Sequence, residues 1–371
     1  MSVERLIERK EVVICAGSGG VGKTTTSAAI AAGMAQRGKK VAVLTIDPAR
    51  RLADSLGLPE LGNEERQVDP ARLTAAGLGG PGELWAMMLD AKRTFDDLVD
   101  AHAPDAQARD AVLSNPIYRE LSNAVAGSQE YMAMEKLHEL HQDGHYDLLV
   151  LDTPPTRNAL DFLDAPARLS RFIDSRSLQF FRAGSRAGLG LLGRGSAALF
   201  YVMKRATGLD LLEDLTSFFN ALGDMTDGFR ERAKRVDALL GDSRTTFLLV
   251  TSPRAASITE ASYFSRRLRD VDLPFGGVVV NRMRDRLAAR PGPELEAELA
   301  GLLGARLARK VVHNLEDHLR MADRDARNVA LLRKELGRRP TIEVPELPGD
   351  VHDIAGLAAM NAYLFATDQR G

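Results

Sequence analysis

A glycine-rich run near the amino terminus carries the residue types with the clearest chemistry. Residues Gly17 to Thr24 read Gly-Ser-Gly-Gly-Val-Gly-Lys-Thr, which matches the pattern G-x-x-x-x-G-K-[ST]. Glycines let the backbone curl so that its N–H groups point at phosphate oxygens, and a helix that begins near Lys23 adds its positive N-terminal end. We expect Lys23 to reach the β- and γ-phosphates of ATP and the Thr24 hydroxyl to bind Mg²⁺.

A chance match is the alternative to this interpretation. An apolar, strand-like run precedes the motif and a helical pattern follows it, which is the context that a phosphate-binding loop requires. The motif predicts that the nucleotide-binding residues are Gly17, Ser18, Gly19, Gly20, Val21, Gly22, Lys23, Thr24 and Thr25.

Asp152 is predicted to bind Mg²⁺ together with Thr24. It ends the run Asp-Leu-Leu-Val-Leu-Asp, which places a carboxylate at the tip of a buried strand, as in a Walker-B motif. In open α/β sheets, ligands bind at the carboxyl ends of the strands. A turn or helix-cap role is the alternative, because a Thr-Pro-Pro sequence follows.

Asp47 follows another apolar run in the same way and precedes the sequence Pro-Ala-Arg-Arg. We predict that its carboxylate orients the attacking water, so that Lys23, Asp47 and Asp152 form the catalytic set. The side chains of Arg50 and Arg51 either contact phosphates or only balance the charge of the loop.

Short apolar runs alternate with longer helical patterns along the chain. Several runs are continuous rather than alternating, which is typical of strands buried on both faces of a parallel sheet. The alternation predicts an α/β fold with helices on both faces. The runs interpreted as strands are residues 12–16, 41–46, 84–89, 148–151, 247–251, 278–281 and 342–344.

The spacing of these runs predicts a helical insertion. The stretch from Asp152 to Phe247 is far too long for one crossover connection, and its pattern is mostly helical. We predict a core made of residues 1–89, 143–164 and 245–371, and a helical subdomain made of residues 90–142 and 165–244.

The bulk composition excludes several function classes. Lys and Arg total 49 against 51 Asp and Glu, so no general attraction to nucleic acid is expected. The chain begins without an apolar signal segment and holds no apolar run long enough to span a membrane, so any membrane contact is expected to be peripheral. The lone cysteine, Cys15, is interpreted as a buried apolar side chain, and the expected location is the cytoplasm.

A set of segments together resembles the arsenite-pump and tail-anchored-protein-targeting ATPases, within the wider class that includes MinD and ParA. Besides the glycine-rich loop, the segments are Asp47-Pro48-Ala49, Ala126 to Glu130, Asp152 to Thr156, Thr251-Ser252-Pro253, Val280-Asn281-Arg282 and Val344 to Pro348.

The resemblance implies a P-loop NTPase fold, with a mostly parallel, roughly eight-stranded sheet and a helical subdomain. It implies that Asn281 contacts adenine, with Arg282 and Pro345 on the same side of the nucleotide. It also implies a dimer that closes around ATP, either with a second copy or with a related ATPase.

Three departures from the family pattern narrow the function. Ser18 stands where the family usually has a lysine that reaches the partner's phosphates, and Arg50, Arg157 or a partner chain are the candidates to replace it. The chain has no Cys-x-x-Cys pair, so no zinc is expected. It also lacks the cysteine trio that binds arsenite, so metalloid transport is disfavoured.

The insertion and the late segment leave alternatives open. Residues 178–212 are apolar and basic, which fits packed helices, a groove for a hydrophobic protein client or a membrane contact; Met132 and Met134 would add adaptable apolar surface. Residues 294–336 predict long helices that pack on the core. The arginines at 282, 284, 286 and 290 are interpreted as a solvated loop, with phosphate or partner contact as the alternative.

The sequence therefore predicts an ATPase that captures and releases a protein partner. Because of Ser18, the main alternative is a low-turnover regulatory subunit that pairs with a related ATPase. A ParA-like positioning ATPase is disfavoured by the long insertion and the balanced charge.

Overall fold

In the computed structural model, the residues described are 2–47, 49–115, 128–153, 228 and 230–366. Within these ranges eight strands form one sheet. They are β1 (Val12–Ala16), β2 (Lys40–Thr45), β3 (Arg66–Gln67), β4 (Glu83–Met88), β5 (Leu148–Asp152), β6 (Thr245–Thr251), β7 (Phe275–Met283) and β8 (Thr341–Pro345).

Helices of very different lengths flank the sheet. In chain order they are α1 (Val3–Ile7), α2 (Lys23–Gln36), α3 (Arg51–Ser55), α4 (Pro70–Ala75), α5 (Ala91–His102), α6 (Ala106–Leu113), α7 (Ser128–Asp143), α8 (residues 230–241), α9 (Ala255–Asp270), α10 (Pro293–Leu303), α11 (Ala305–Leu336) and α12 (Ile354–Leu364).

The sheet has the strand order β3-β4-β2-β5-β1-β6-β7-β8. All neighbouring pairs are parallel except β3 with β4. This confirms the predicted mostly parallel, eight-stranded P-loop NTPase fold. The order places β1 at the centre, so the loop that leaves its carboxyl end lies beside the ends of β5 and β6.

The central strands are buried because both of their faces are apolar. Successive residues of β1 belong to two different cores: Val12 and Ile14 pack with one cluster, whereas Val13 and Cys15 pack with the other. Strand side chains point alternately to opposite faces, so a continuous apolar run supplies both cores. The predicted burial of Cys15 is confirmed, and burial raises the pKa of its thiol to about 12.

The predicted strands agree closely with the observed ones, except that β3 was missed. Its two residues, Arg66 and Gln67, are exposed and pair antiparallel with β4 at the edge of the sheet. Two exposed polar residues give no apolar run, so the pattern that revealed the other strands is absent there.

Helix α7 packs into the core rather than forming an adaptable surface. Its side chains Tyr131, Met132, Met134 and Leu137 are buried in the same apolar cluster as one face of the sheet. The expectation that Met132 and Met134 add exposed apolar surface is therefore wrong. The cause is that α7 precedes β5 directly and must cover the sheet on that face.

The late segment forms α10 and α11, which confirms the predicted helices. Within the described ranges, no helix combines the length and the apolar character needed to cross a membrane. Residues 178–212 and Arg157 lie outside the described residues, and the domain boundaries stay a prediction.

Candidate functional site

The glycine-rich loop connects β1 to α2 and curls at two constrained glycines. Gly17 has φ of 154° and Gly22 has φ of 93°, a backbone region that favours glycine. A Cβ atom on Gly17 would overlap the carbonyl of Val250, and one on Gly22 would overlap the amide of Asn281. Gly22 is also the N-cap of α2 and has no side chain to cap the first turn. The N–H groups of that turn therefore remain available to an anion.

Lys23 lies almost fully buried at the start of α2. Its ammonium donates hydrogen bonds to the carbonyl oxygens of Gly17, at 2.8 Å, and of Ser18, at 2.9 Å. Burial lowers the pKa of Lys23, and the carboxylates of Asp152 and Asp47 oppose that shift. The ammonium is thus held across the loop by neutral acceptors, which phosphate oxygens can replace with charge-assisted bonds.

Asp152 ends β5, and its two carboxylate oxygens have different surroundings. Its Oδ2 accepts hydrogen bonds from the hydroxyls of Thr24, at 2.6 Å, and Thr45, at 3.0 Å. Its Oδ1 is buried and has no hydrogen-bond partner among the described residues. Burial raises the pKa of Asp152 to about 6, against the lowering effect of the two hydroxyls and of Lys23.

These contacts fit a Mg²⁺ site. A buried carboxylate oxygen that lacks a hydrogen-bond donor is a position where a cation can coordinate or a water molecule can donate a hydrogen bond. Hydroxyl and carboxylate oxygens are the ligands that Mg²⁺ prefers. The Thr24 and Asp152 side chains supply this donor set next to the ammonium of Lys23. The turn or helix-cap alternative for Asp152 involves residues from 154 onward, which lie outside the described residues.

Asp47 lies on the wall of an open cleft beside the loop. Its Oδ1 accepts a hydrogen bond from the Ala49 backbone N–H at 3.0 Å, and its Oδ2 lies 3.7 Å from a guanidinium nitrogen of Arg51. Arg51 lines the same cleft. The Arg50 guanidinium instead donates to the carbonyl of Pro59. Of these two arginines, the structure therefore places Arg51 at the site.

Asn281 connects β7 to the phosphate loop. Its side-chain Nδ2 donates to the carbonyl of Val21 at 2.9 Å, and its Oδ1 accepts from the Arg282 backbone N–H at 2.9 Å. Arg282 has φ of 61°, which turns the chain sharply near the end of the strand, and its guanidinium lies 3.4 Å from the carbonyl of Gly20. The amide therefore ties the phosphate loop to the carboxyl end of β7.

The cleft has a volume of about 590 Å³ and joins most of the predicted residues. The predicted residues on its wall are Gly20, Gly22, Lys23, Thr24, Thr25, Asp47, Asn281, Arg282 and Pro345. Five predicted residues are not part of the wall: Gly17, Ser18, Gly19, Val21 and Asp152. Of these, Gly17, Ser18 and Val21 contribute backbone carbonyls to the contacts above, and Asp152 acts through Thr24.

Part of the wall was not predicted. It includes the residues Asp54, Thr153, Glu346, Leu347, Gly349, Asp350, Val351, His352 and Met360. The late Val344 to Pro348 motif pointed to the beginning of this stretch. Residues 349–352 and Met360 gave no signal, because they reach the cleft only through the position of β8 and α12 at that end of the sheet.

Arg284 links the cleft to α11. One guanidinium nitrogen lies 2.8 Å from the carboxylate of Asp325, which is buried in α11, and another lies 3.9 Å from Glu346 on the cleft wall. The solvated-loop interpretation is therefore wrong for Arg284. An arginine in a loop can insert between elements, and sequence spacing alone does not show this.

The chain is similar to known ATPases over most of its length. The sequence model of the anion-transporting ATPase family matches residues 10–298. The ATPase GET3 of Malassezia globosa is 25% identical over 301 residues, which cover 80% of this chain and 79% of that protein. The ATPase get3 of Aspergillus terreus is 27% identical over 288 residues, 76% of each chain. The ATPase GET3 of Podospora anserina is 25% identical over 285 residues, 76% of this chain and 75% of that protein. The range matched by the family model contains the glycine-rich loop, both aspartates and Asn281.

Proposed function

The chain belongs to the anion-transporting ATPase family and is an ATP-hydrolysing enzyme, and from this premise we propose that its nucleotide cycle controls the capture and release of a hydrophobic protein partner. In the proposed cycle, ATP binding closes a dimer and hydrolysis opens it again. We place this cycle in the cytoplasm. We assign no zinc to the dimer, since the only cysteine of the chain is the buried Cys15.

The observation that carries the catalytic part is the arrangement of charges around the loop. Lys23 and Thr24 line the cleft at the first turn of α2, and Thr24 bonds the carboxylate of Asp152. Thr24 and Asp152 would hold Mg²⁺, which when bound neutralises charge on the phosphates. The loop N–H groups and Lys23 would stabilise the negative charge that develops during phosphoryl transfer.

We assign the orientation of the attacking water to Asp47. Its carboxylate is on the cleft wall, and the Ala49 N–H fixes its direction while leaving lone pairs available. Water held by such a carboxylate is positioned for attack on the γ-phosphorus. Three further residues of the cleft wall, Asn281, Arg282 and Pro345, are assigned to the adenine side.

The link between the cleft and distant elements supports a conformational cycle. Asp47 leads into α3, Asn281 lies near the end of β7, and Glu346 follows β8, so one nucleotide would touch three separately connected elements. Arg284 joins this wall to α11 through Asp325. A change at the γ-phosphate can therefore shift elements that lie outside the cleft.

A peptide-binding measurement tests the partner part of the proposal. The probe is a fluorescent peptide with a single apolar helix long enough to span a membrane, with a scrambled polar peptide of equal length as the control. We expect at least ~10-fold tighter binding of the apolar peptide with a non-hydrolysable ATP analogue than with ADP. Equal affinity in both nucleotide states would contradict the proposed cycle.

Ser18 favours a second candidate function, a low-turnover regulatory subunit paired with a related ATPase. Its side chain supplies no cation, and its carbonyl only holds Lys23. Phosphate release by the purified chain alone distinguishes the two candidates. Tight ATP binding without turnover would favour the regulatory subunit, and turnover without a partner would favour the self-sufficient enzyme.

A further inference from the structure

Thr45 ends β2 directly beside Asp152, the last residue of β5. The two are partners in the parallel register, and both are 1% exposed. Val43 and Val150 form the preceding pair on the same face and belong to one apolar core. At the next pair along this face, the side chains change from apolar to polar. A buried hydroxyl and a buried carboxylate therefore lie next to each other at the carboxyl end of the sheet.

The Thr45 hydroxyl takes part in two hydrogen bonds with opposite roles. It donates to Oδ2 of Asp152 at 3.0 Å and accepts from the backbone N–H of Asp47 at 3.2 Å. The two bonds are compatible, because a hydroxyl has one proton to donate and two lone pairs that can accept. A single oxygen atom, Oγ1 of Thr45, therefore links the end of β5 to the segment that follows β2.

The need to satisfy a buried carboxylate does not by itself account for this arrangement. The same Oδ2 of Asp152 already accepts a hydrogen bond from the Thr24 hydroxyl at 2.6 Å. The bond from the Asp47 N–H adds nothing to that carboxylate, but it fixes the backbone of Asp47, whose side chain is held separately by the Ala49 N–H. The position of Asp47 is thus set relative to Asp152 as well as within its own loop.

We propose that Thr45 is a positioning residue for ATP hydrolysis, which holds Asp152 and Asp47 in a fixed relation to each other. The inference rests on the proposed function, in which Asp152 binds Mg²⁺ and Asp47 orients the attacking water. Thr45 is not part of the cleft wall, so it acts through the two aspartates and not on the nucleotide. A small displacement of the groups that orient a reaction can slow it by about 100-fold, so the loss of this link has a measurable consequence.

The variant Thr45→Val removes the hydroxyl and keeps a β-branched side chain of similar shape. At saturating Mg²⁺ and ATP, we expect single-turnover hydrolysis to be at least ~30-fold slower, with the dissociation constant of ATP changed less than about threefold. Thr45→Ser, which retains the hydroxyl, should hydrolyse ATP within about threefold of the rate of the unmodified chain. Thermal melting checks folding. If Thr45→Val does not fold, Thr45→Ala removes the same hydroxyl and should give the same losses.

A binding measurement tests the Asp152 side of the link independently of turnover. The probe is a fluorescent, non-hydrolysable ATP analogue whose binding is titrated with Mg²⁺. We expect the Mg²⁺ concentration for half-maximal binding to rise about 10-fold in Thr45→Val, because Asp152 loses one of the two hydroxyls that orient its carboxylate. Thr45→Ser should keep the Mg²⁺ midpoint of the unmodified chain.

A matched control and a double variant separate positioning from a loss of stability. Thr245→Val removes another buried strand hydroxyl, which donates to the Leu239 carbonyl at 2.6 Å and is not part of the cleft wall. It should lower the melting temperature as Thr45→Val does, yet keep the hydrolysis rate and the Mg²⁺ midpoint. In an Asp47→Asn background at saturating Mg²⁺, Thr45→Val should slow hydrolysis less than about twofold further, because the carboxylate that it positions is already absent.

Each of four outcomes would overturn the inference. They are an unchanged Mg²⁺ midpoint in Thr45→Val, an unchanged hydrolysis rate in that variant, equal impairment of Thr45→Ser, and an undiminished effect in the Asp47→Asn background. Failure of the proposed function gives a different result, because the unmodified chain would then bind ATP without turnover. The Mg²⁺ midpoints would still decide the role of Thr45 in that case.

Discussion

At the scale of single residues, glycines and the side chains that contact them set the geometry of the cleft. Gly22 combines a left-handed backbone with close contact to the Asn281 amide, and that amide holds the carbonyl of Val21. The phosphate loop and the end of β7 are therefore joined through a position that tolerates no Cβ. The motif pattern predicted the glycine, but the contact with Asn281 depends on the strand order and could not be predicted from spacing.

Replacing Gly22 with alanine should damage both stability and ATP affinity. A Cβ at this position is strained at φ of 93° and overlaps the Asn281 amide, which we expect to lower the free energy of unfolding by about 1–3 kcal/mol. ATP affinity should fall at least ~10-fold, because the curled loop provides the phosphate-binding N–H groups. Urea denaturation and ATP titration measure the two effects.

Gly62→Ala is the matched control for this experiment. A Cβ on Gly62 would have no neighbour within 4 Å, so its stability and ATP affinity should remain close to those of the unmodified chain. Equal behaviour of the two variants would contradict the role assigned to Gly22.

Arg51 and Arg50 are neighbours in sequence with different surroundings. Arg51 pairs with Asp47 and lines the cleft, whereas Arg50 bonds the carbonyl of Pro59. We expect Arg51→Ala to lower the rate of ATP hydrolysis at least ~10-fold, since a cation beside the reacting phosphate is lost. The effect of Arg50→Ala should be smaller. Steady-state phosphate release measures both, and the reverse order of effects would show that Arg50 supplies the cation.

At the scale of elements, the sequence predicted the strands well and the packing of helices less well. Apolar runs identified seven of the eight strands. Several of these runs are continuous, because burial on both faces of a strand leaves a direct trace in the sequence. Helix α7 also has apolar residues, but a periodic pattern does not state what the helix packs against. The arginines after Asn281 likewise gave no sign that Arg284 inserts between α11 and the cleft wall.

The Arg284–Asp325 pair should stabilise the loop after β7. Asp325 is 1% exposed, so Arg284→Met would leave a buried carboxylate without its cation, which typically costs about 3–5 kcal/mol. We expect the free energy of unfolding to fall by about 3 kcal/mol, the lower end of this range, because Arg284 is partly exposed. Chemical denaturation measures it.

Arg286→Met tests whether this effect is specific to the buried pair. Arg286 lies 3.6 Å from Asp323, and both side chains are exposed, so the loss should stay below about 1 kcal/mol. Similar losses in the two variants would argue against a special role for Arg284.

At the scale of the whole molecule, the fold brings residues from distant parts of the chain to one end of the sheet. Lys23, Asp47, Asp152, Asn281 and Pro345 lie at or just beyond the ends of five different strands. The strand order makes those strand ends neighbours, as the carboxyl ends of parallel strands must be. The family resemblance in the sequence predicted this convergence. The part of the wall formed by residues 349–352 became visible only in three dimensions.

The most direct test of the catalytic cleft is ATP hydrolysis by the purified chain alone, in single- and multiple-turnover experiments, with Asp47→Asn alongside. We predict turnover by the unmodified chain, and in Asp47→Asn retained ATP binding with hydrolysis at least ~100-fold slower, because the water loses its orienting carboxylate. Asp97→Asn, at an exposed position on α5, should hydrolyse ATP normally. Hydrolysis by Asp47→Asn at the rate of the unmodified chain would contradict the assignment of the catalytic cleft.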